Sequence, residues 1–181
     1  MHKVRQTPRL ELDGKNLNIP EGRKNYSEED AFASNCLLAE KAALRLIARA
    51  EQCTAGLIRK LKRRGYEEIC INTVISRLSE LNLVSDSRYA QLWLQSRLRF
   101  TRSPKQLFSS LCGKGIDRDD AEAALKTVLD EKNEQALLSR FVKKHLRKTR
   151  DRNEDGMSLK HILKSEGFSL KIIDQFLELE R

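Results

Sequence analysis

Apolar residues return along this chain in a fixed phrase. Leu57, Leu61, Gly65 and Tyr66 set a Leu-x-x-x-Leu-x-x-x-Gly-apolar pattern that recurs as Leu107, Leu111, Gly115 and Ile116, and again as Leu159, Leu163, Gly167 and Phe168. Leucines four apart share one face of a helix, and a following glycine can take the left-handed conformation that closes it. The glycines recur after 50 and then 52 residues. Six, nine and ten positions beyond each come apolar residues: Ile71, Val74 and Ile75, then Ala121, Ala124 and Leu125, then Ile173, Phe176 and Leu177. This is an internal repeat. A unit of this size buries only one face of each helix, so the copies are expected to stack into an elongated, curved array.

Three helices per repeat are predicted. In the first, Leu38, Ala42, Leu46 and Ala50 recur every four residues after a capping-box-like Ser27 and Asp30, which predicts a long helix ending near Cys53. Two more follow over 54–65 and 68–81. The second repeat opens at Ser85 or Asp86 with a helix to about 100. Ser103 as cap, Pro104 at the first helical position and Gln106 at the third then mark the start of its middle helix, which stops at Gly113 or Gly115. Asp117 caps a helix to about 131, and the third repeat reads as helices near 133–149, 157–166 and 170–180, broken by a polar loop at 150–156. Tyr89, Leu92, Trp93 and Phe100 lie on one face of the helix over 86–100, and Leu94 and Leu98 on another. That helix is expected to touch both flanking repeats, with Tyr89 and Trp93 in the core. Residues 1–26, with Pro8, Gly14, Pro20 and Gly22, read as an irregular arm with a turn favoured at Asp13-Gly14. The chain thus divides into an arm over 1–26 and helical repeats over 27–84, 85–131 and 132–181, an all-α fold.

Composition agrees and adds a partner class. Three prolines and eight glycines in 181 residues suit helices better than a many-turned sheet. The net charge of +9, with a pI near 9.5, points to a polyanion, most often nucleic acid. Cys36, Cys53, Cys70 and Cys112 form no Cys-x-x-Cys pair and are expected to be buried, reduced thiols. The start of the chain has no apolar run of signal length, and nothing later approaches the roughly 20 apolar residues of a membrane span. A soluble, cytoplasmic protein is expected, with no membrane association.

The cations cluster. On a helical wheel Leu57, Ile58 and Leu61 fall on one arc, Arg59, Lys60 and Arg63 fall opposite, and Lys62 and Arg64 stand at the borders. The matching face of the second repeat carries Ser109 and Ser110 instead. Arg97, Arg99, Arg102 and Lys105 gather around that repeat's first inter-helix turn. In the helix near 133–149, Leu138, Phe141, Val142 and Leu146 line one side, and Arg140, Lys143, Lys144, Arg147 and Lys148 the other. Like charges along one face repel by a few tenths of a kcal/mol per pair, roughly, and phosphate would supply the missing counter-charge.

Motifs that resemble chemical sites fail on inspection. The run from Asp151 to Gly156 matches the first half of a calcium loop, but Ile162 stands where the closing bidentate glutamate belongs. Cys112-Gly113-Lys114-Gly115 lacks the upstream glycine and preceding strand of a phosphate loop. Glu154 and Glu166 have no evident acid-base partner, and His145 at the border of an apolar stripe reads as a half-buried core residue. Neither an enzyme nor a bound metal or cofactor is expected.

The order of these pieces resembles a known family. Residues 42–49, then the first Leu-Leu-Gly-Tyr phrase, then Leu83-Val84-Ser85-Asp86-Ser87-Arg88-Tyr89-Ala90, then Ser103-Pro104 with Leu107, Leu111 and Lys114-Gly115-Ile116 are together similar to the RecX family of bacterial recombinase regulators, over roughly 40–180. The resemblance implies tandem three-helix repeats. It also implies a protein, taken here as a monomer, that binds the RecA-type recombinase filament on single-stranded DNA, lies in its helical groove and restrains ATP hydrolysis and strand exchange. Where the family usually shows Gly-Tyr-Leu-Asp-Asp this chain has Asn82-Leu83-Val84-Ser85-Asp86, and its turn before Ser103 reads Phe100-Thr101-Arg102. Arg59, Lys60, Arg63, Arg64, Arg97, Arg99, Arg102, Lys105, Lys143, Lys144, Arg147 and Lys148 are the expected partner or DNA contacts. Two rival readings are a sequence-specific helix-turn-helix regulator of duplex DNA and a helical scaffold for another protein.

Overall fold

The computed structural model describes residues 28–149 and 159–179, with side chains described over 32–145 and 159–179. The expected arm and its turn, the cap at Ser27 and the polar loop with its calcium-like run lie outside the described residues. Every regular element among the described residues is an α-helix: α1 (Glu28–Ile47), α2 (Thr54–Lys62), α3 (Glu68–Glu80), α4 (Asp86–Arg97), α5 (Pro104–Cys112), α6 (Arg118–Val128), α7 (Glu131–Thr149), α8 (Leu159–Ser165) and α9 (Leu170–Leu179). Helices α1 and α2 pack on each other and on α3, α4 and α5 pack on α6, and α7 and α8 pack on α9. The last helix of each trio is its hub.

The repeated phrase is a helix-closing device. Gly65, Gly115 and Gly167 have φ of 82°, 94° and 88°. The amide after each glycine donates back to the carbonyl of the second leucine: Tyr66 to Leu61, Ile116 to Leu111 and Phe168 to Leu163. The glycine amides themselves bond to Lys62, Cys112 and Lys164. This pair of reversed bonds is the Schellman closure, whose apolar contact falls between the residue after glycine and the leucine. Leu57, Leu61, Leu107, Leu111 and Leu163 are fully buried, as are Ile71, Ala121, Ala124 and Ile173 on the hub helices.

Local start signals hold where the sequence is explicit. Ser85 caps α4 by accepting from the Arg88 amide, and Ser103 accepts from the Gln106 amide while the Gln106 side chain accepts from the Ser103 amide. Asp117 caps α6. Asn82, after α3, has φ of 54°. Asparagine is among the few residues that tolerate this region, and its side chain and carbonyl both accept from Arg88.

Three expectations are corrected. Of the four-residue period on α1, Ala42 and Leu46 pack on the core, whereas Leu38 is exposed and Ala50 lies past Ile47, where α1 ends short of Cys53; Ala39 and Ala43 complete the buried stripe, small residues that let α1 approach α3 closely. Leu92, within α4, is also exposed, and so is Phe100, which falls beyond the helical wheel because α4 ends at Arg97. Tyr89 and Trp93 do pack, half-buried, against the core. Finally, Cys36 and Cys70 are joined in a disulfide, whereas Cys53 and Cys112 are free. The packing of α1 along α3, which also pairs Glu40 with Arg77, brings the Cα atoms of Cys36 and Cys70 to 4.7 Å, inside the range a disulfide spans.

Two joints link the trios, and both use the same part. The Lys114-Gly115 turn that ends α5 sits on the first turn of α2, where a Cβ on Gly115 would stand 2.5 Å from the Cβ of Ala55. The Glu166-Gly167 turn that ends α8 sits on the first turn of α5, where a Cβ on Gly167 would stand 3.3 Å from the Lys105 amide nitrogen. That amide donates to the Glu166 carbonyl (3.0 Å), and the buried Ser103 hydroxyl donates to the Glu166 carboxylate. Glu166, which suggested no chemistry in the sequence, is thus a joint residue. Gly65 has open space around it. An apolar cluster including Leu94, Leu107, Leu111, Leu138, Phe141 and Phe168 runs through the second and third trios, while the first trio closes a separate core around Leu57, Leu61 and Ile71.

Candidate nucleic-acid and partner interface

Helix α2 carries the densest charge because its buried face is so narrow. Leu57 and Leu61 are fully buried with Ile58 packed beside them, and the last turn carries the cations Arg59, Lys60 and Lys62, which suit the negative end of a helix. Its first turn lacks a cap from its own N-cap residue. The capping oxygen comes from the next trio: Asp86 Oδ1 accepts from the Thr54 amide at 2.7 Å. Asp86 therefore ties α4 to α2 while Ser85 caps α4, and Arg88 adds an ion pair to Glu51 at 2.8 Å.

A groove of about 520 Å³ lies along this helix, lined by Gly56, Arg59, Lys60, Lys62 and Arg63. Three of its four cations meet different partners. Arg59 Nη2 donates to the carbonyl of Lys114 (3.1 Å), so it spans the joint, and Lys60 Nζ donates to Gln52 Oε1 (2.5 Å). Lys62 pairs with Glu68 at 2.7 Å, and that contact holds the Glu68 carboxyl below its ordinary range. Arg59, Lys60, Arg63 and Arg64 have no carboxylate partner among the described residues. An anion entering the groove would displace neutral acceptors at Arg59 and Lys60 and would meet a competing carboxylate at Lys62, which Glu68 holds.

The structure gathers the second predicted cluster around two rings. Arg97 lies 5.4 Å from the Trp93 ring centroid and 5.5 Å from that of Phe100, Arg99 lies 4.9 Å from Phe100, and Lys114 lies 5.4 Å from Trp93. Arg102 donates to Ser110 Oγ at 3.2 Å, and Lys105 is exposed at the start of α5. Beside this cluster, burial pushes the Tyr89 phenol above its ordinary range. Lys143 and Lys144 are exposed on α7, and no hydrogen bond or ion pair among the described residues links them to the other cations. The side chains of Arg147 and Lys148 lie outside the described ones. His145 is half-buried with its ring 4.4 Å from Phe141.

Two cations, Lys62 in the groove and Lys114 at the joint, are not among the contacts expected from the sequence. Lys62 stood at the border of the helical wheel, and its groove position follows only from the turn that ends α2. Lys114 looked like part of a helix end and nothing more. Its place before Gly115, on a turn that docks on the preceding trio, was the available clue. No helix among the described residues is long and apolar enough to cross a membrane.

Known proteins share both the pattern and the fold. Residues 39–78 match the family model described as RecX, first three-helix domain, and residues 85–125 match that described as RecX, second three-helix domain. The regulatory protein RecX of Treponema pallidum is 32% identical over 150 residues, which cover 82% of this chain and 89% of that protein. That of Caldanaerobacter subterraneus is 26% identical over 166 residues, covering 90% and 82%. Among solved structures, RecX from Lactobacillus salivarius superposes with a TM-score of 0.61 at 24% identity, over 81% of this chain and 96% of that one. A second crystal structure of regulatory protein RecX gives a TM-score of 0.70 at 20% identity, over 83% and 75%. These two show the shared all-α fold. With the phrase-bearing trios, the matched domains and a relative that covers most of its length, this chain belongs to the RecX family of regulatory proteins.

Proposed function

We propose that the chain binds a RecA-type recombinase filament on single-stranded DNA and restrains its ATP hydrolysis and strand exchange. It acts in the cytoplasm as a monomer and by contact, without catalysis, cofactor or metal. The observation that carries this reading is the groove on α2, where Arg59, Lys60 and Arg63 face outward without carboxylate partners among the described residues. Membership of a regulatory family supports it. The site consists of Arg59, Lys60, Arg63 and Arg64 with Arg97, Arg99, Arg102 and Lys105, extended along α7 by Lys143, Lys144, Arg147 and Lys148. Such a surface would meet phosphate or an acidic recombinase face, with affinity that falls in salt.

The test uses Lys60→Glu with Arg63→Glu and leaves Arg59 in place, because Arg59 also holds the joint through Lys114. Helicity should be unchanged and inhibition of strand exchange reduced. Loss of two phosphate contacts should lower the salt slope of single-strand binding by about 1.4. Unaltered inhibition by the double variant would refute the assignment. Strong preference for one duplex site would favour the helix-turn-helix regulator, and absence of both nucleic-acid and filament binding would favour the scaffold.

A further inference from the structure

Beyond the end of α4 the cations and rings alternate. Trp93 is followed in space by Arg97, Arg97 by Phe100, and Phe100 by Arg99, with successive distances of 5.4, 5.5 and 4.9 Å from guanidinium carbon to ring centroid. Lys114 closes the inner end over Trp93. The outer end is open: Phe100 is 42% exposed and Arg99 is exposed.

We propose that this ladder is a nucleobase-stacking surface for single-stranded nucleic acid, seated beside the α2 groove that takes the phosphates. The proposal deepens the functional reading above and rests on it for the presence of a single strand. Three observations favour a ligand over a purely structural cluster. First, no carboxylate pairs with Arg97, Arg99 or Lys114 among the described residues, so three cations share two rings without neutralisation. Second, Trp93 Nε1 and Arg97 Nε are buried donors with no acceptor among the described residues, beneath a surface whose exposed members are the Phe100 ring and the Arg99 cation. Nucleobases supply both complements, flat π faces and carbonyl or ring-nitrogen acceptors. Third, the ladder adjoins the groove through bonded residues. Arg59 lines the groove and donates to the carbonyl of Lys114, whose ammonium lies over Trp93. A strand with its phosphates in the groove has its bases within reach of the ladder.

Stacking selects single strands for a simple reason. In a duplex both faces of each base are already covered, whereas an unpaired base can leave the stack and settle on a ring or guanidinium plane. The three trios differ here. Lys114 and Arg99 have no counterpart cation over a ring in the first or third trio among the described residues, so the ladder is a property of the second trio alone.

Trp93 is the sole tryptophan, so the full chain carries its own reporter. Adding an oligothymidine strand should quench its fluorescence. Phe100→Leu should weaken binding to that strand by roughly 5- to 150-fold, the worth of one stacked base, while the salt slope stays as in the parent because no phosphate contact is lost. Phe100→Tyr, which keeps the ring, should bind as the parent does. Duplex binding should be the same in all three. Unchanged oligothymidine affinity in Phe100→Leu overturns the ladder, and so does an equal loss toward duplex and single strand. A parent protein that inhibits strand exchange yet binds no oligothymidine at any salt also overturns it, and leaves the recombinase reading standing. A parent that binds and quenches but does not affect strand exchange has the opposite meaning: the ladder holds and the recombinase reading fails.

Discussion

Around Leu57, Leu61 and Ile71 the first trio closes an apolar core of its own and adds a covalent tie between α1 and α3, whereas Leu107, Phe141 and Phe168 belong to one cluster that the second and third trios share. The joints differ accordingly. Between the first and second trios, Cys53 is buried in the second trio's cluster and the other contacts are polar or backbone: Asp86 on the Thr54 amide, Arg88 with Glu51, Arg59 on the Lys114 carbonyl, and Gly115 against Ala55. Between the second and third, the Ser103–Glu166 contact sits beside a continuous apolar core. The same docking turn thus serves two mechanical purposes. One joint fastens an independently cored unit, and the other completes a core that neither trio closes alone, as nearest-neighbour repeats require.

That contrast can be broken most strongly at the disulfide. Closing a loop between residues 34 apart is worth about 3–4 kcal/mol on chain entropy, so reduction should destabilise the first trio by up to that amount. Urea unfolding followed by circular dichroism should then separate an early transition from the one reported by Trp93, which lies in the second trio. If the Trp93 transition shifts by as much as the first, the two cores are not independent.

A smaller effect compares two glycines of the same motif. Gly115→Ala meets both a left-handed φ and a Cβ of Ala55 at 2.5 Å, and should cost about 3 kcal/mol from backbone strain and overpacking together. Gly65→Ala meets only the strain, since its surroundings are open, and should cost about 1 kcal/mol. Adding Ala55→Gly to Gly115→Ala should recover the steric part in a double-mutant cycle. Equal losses at the two glycines, measured by thermal unfolding, would mean that Gly115 does not seat on α2 in solution.

Smallest of the three is Ser103→Ala, which removes the α5 cap and leaves the Glu166 carboxylate without its hydroxyl donor. About 1–2 kcal/mol is expected, felt in the second and third trios together because they share a core. A loss confined to the early, first-trio transition would contradict the assignment of that joint.

Much of this was legible along the chain. The Leu-Leu-Gly phrase, the caps at Ser85, Ser103 and Asp117 and the hub residues after each glycine all appear where the pattern puts them, because closure and capping are decided within a turn or two of the residue concerned. The stripe of α1 was misread, since a four-residue period alone does not say whether leucines or alanines face the neighbour. Of the candidate site, the cations of α2 were legible as one face of a short helix. Lys114 was not, nor were the contacts of Arg97.

Periodicity and capping chemistry in the sequence alone determined three helical trios with a cationic exterior, since hydrogen bonds between residues three to five apart need no knowledge of the rest of the fold. Only the tertiary structure decided that Cys70 meets Cys36, that Asp86 caps α2, that Glu166 reaches Ser103 and that Arg59 crosses to Lys114. Those partners lie 32 to 63 residues apart; the packing of α1 on α3 brings the two cysteines together, and the seating of one trio on the next brings the others, both set by packing shape and carried by no local pattern.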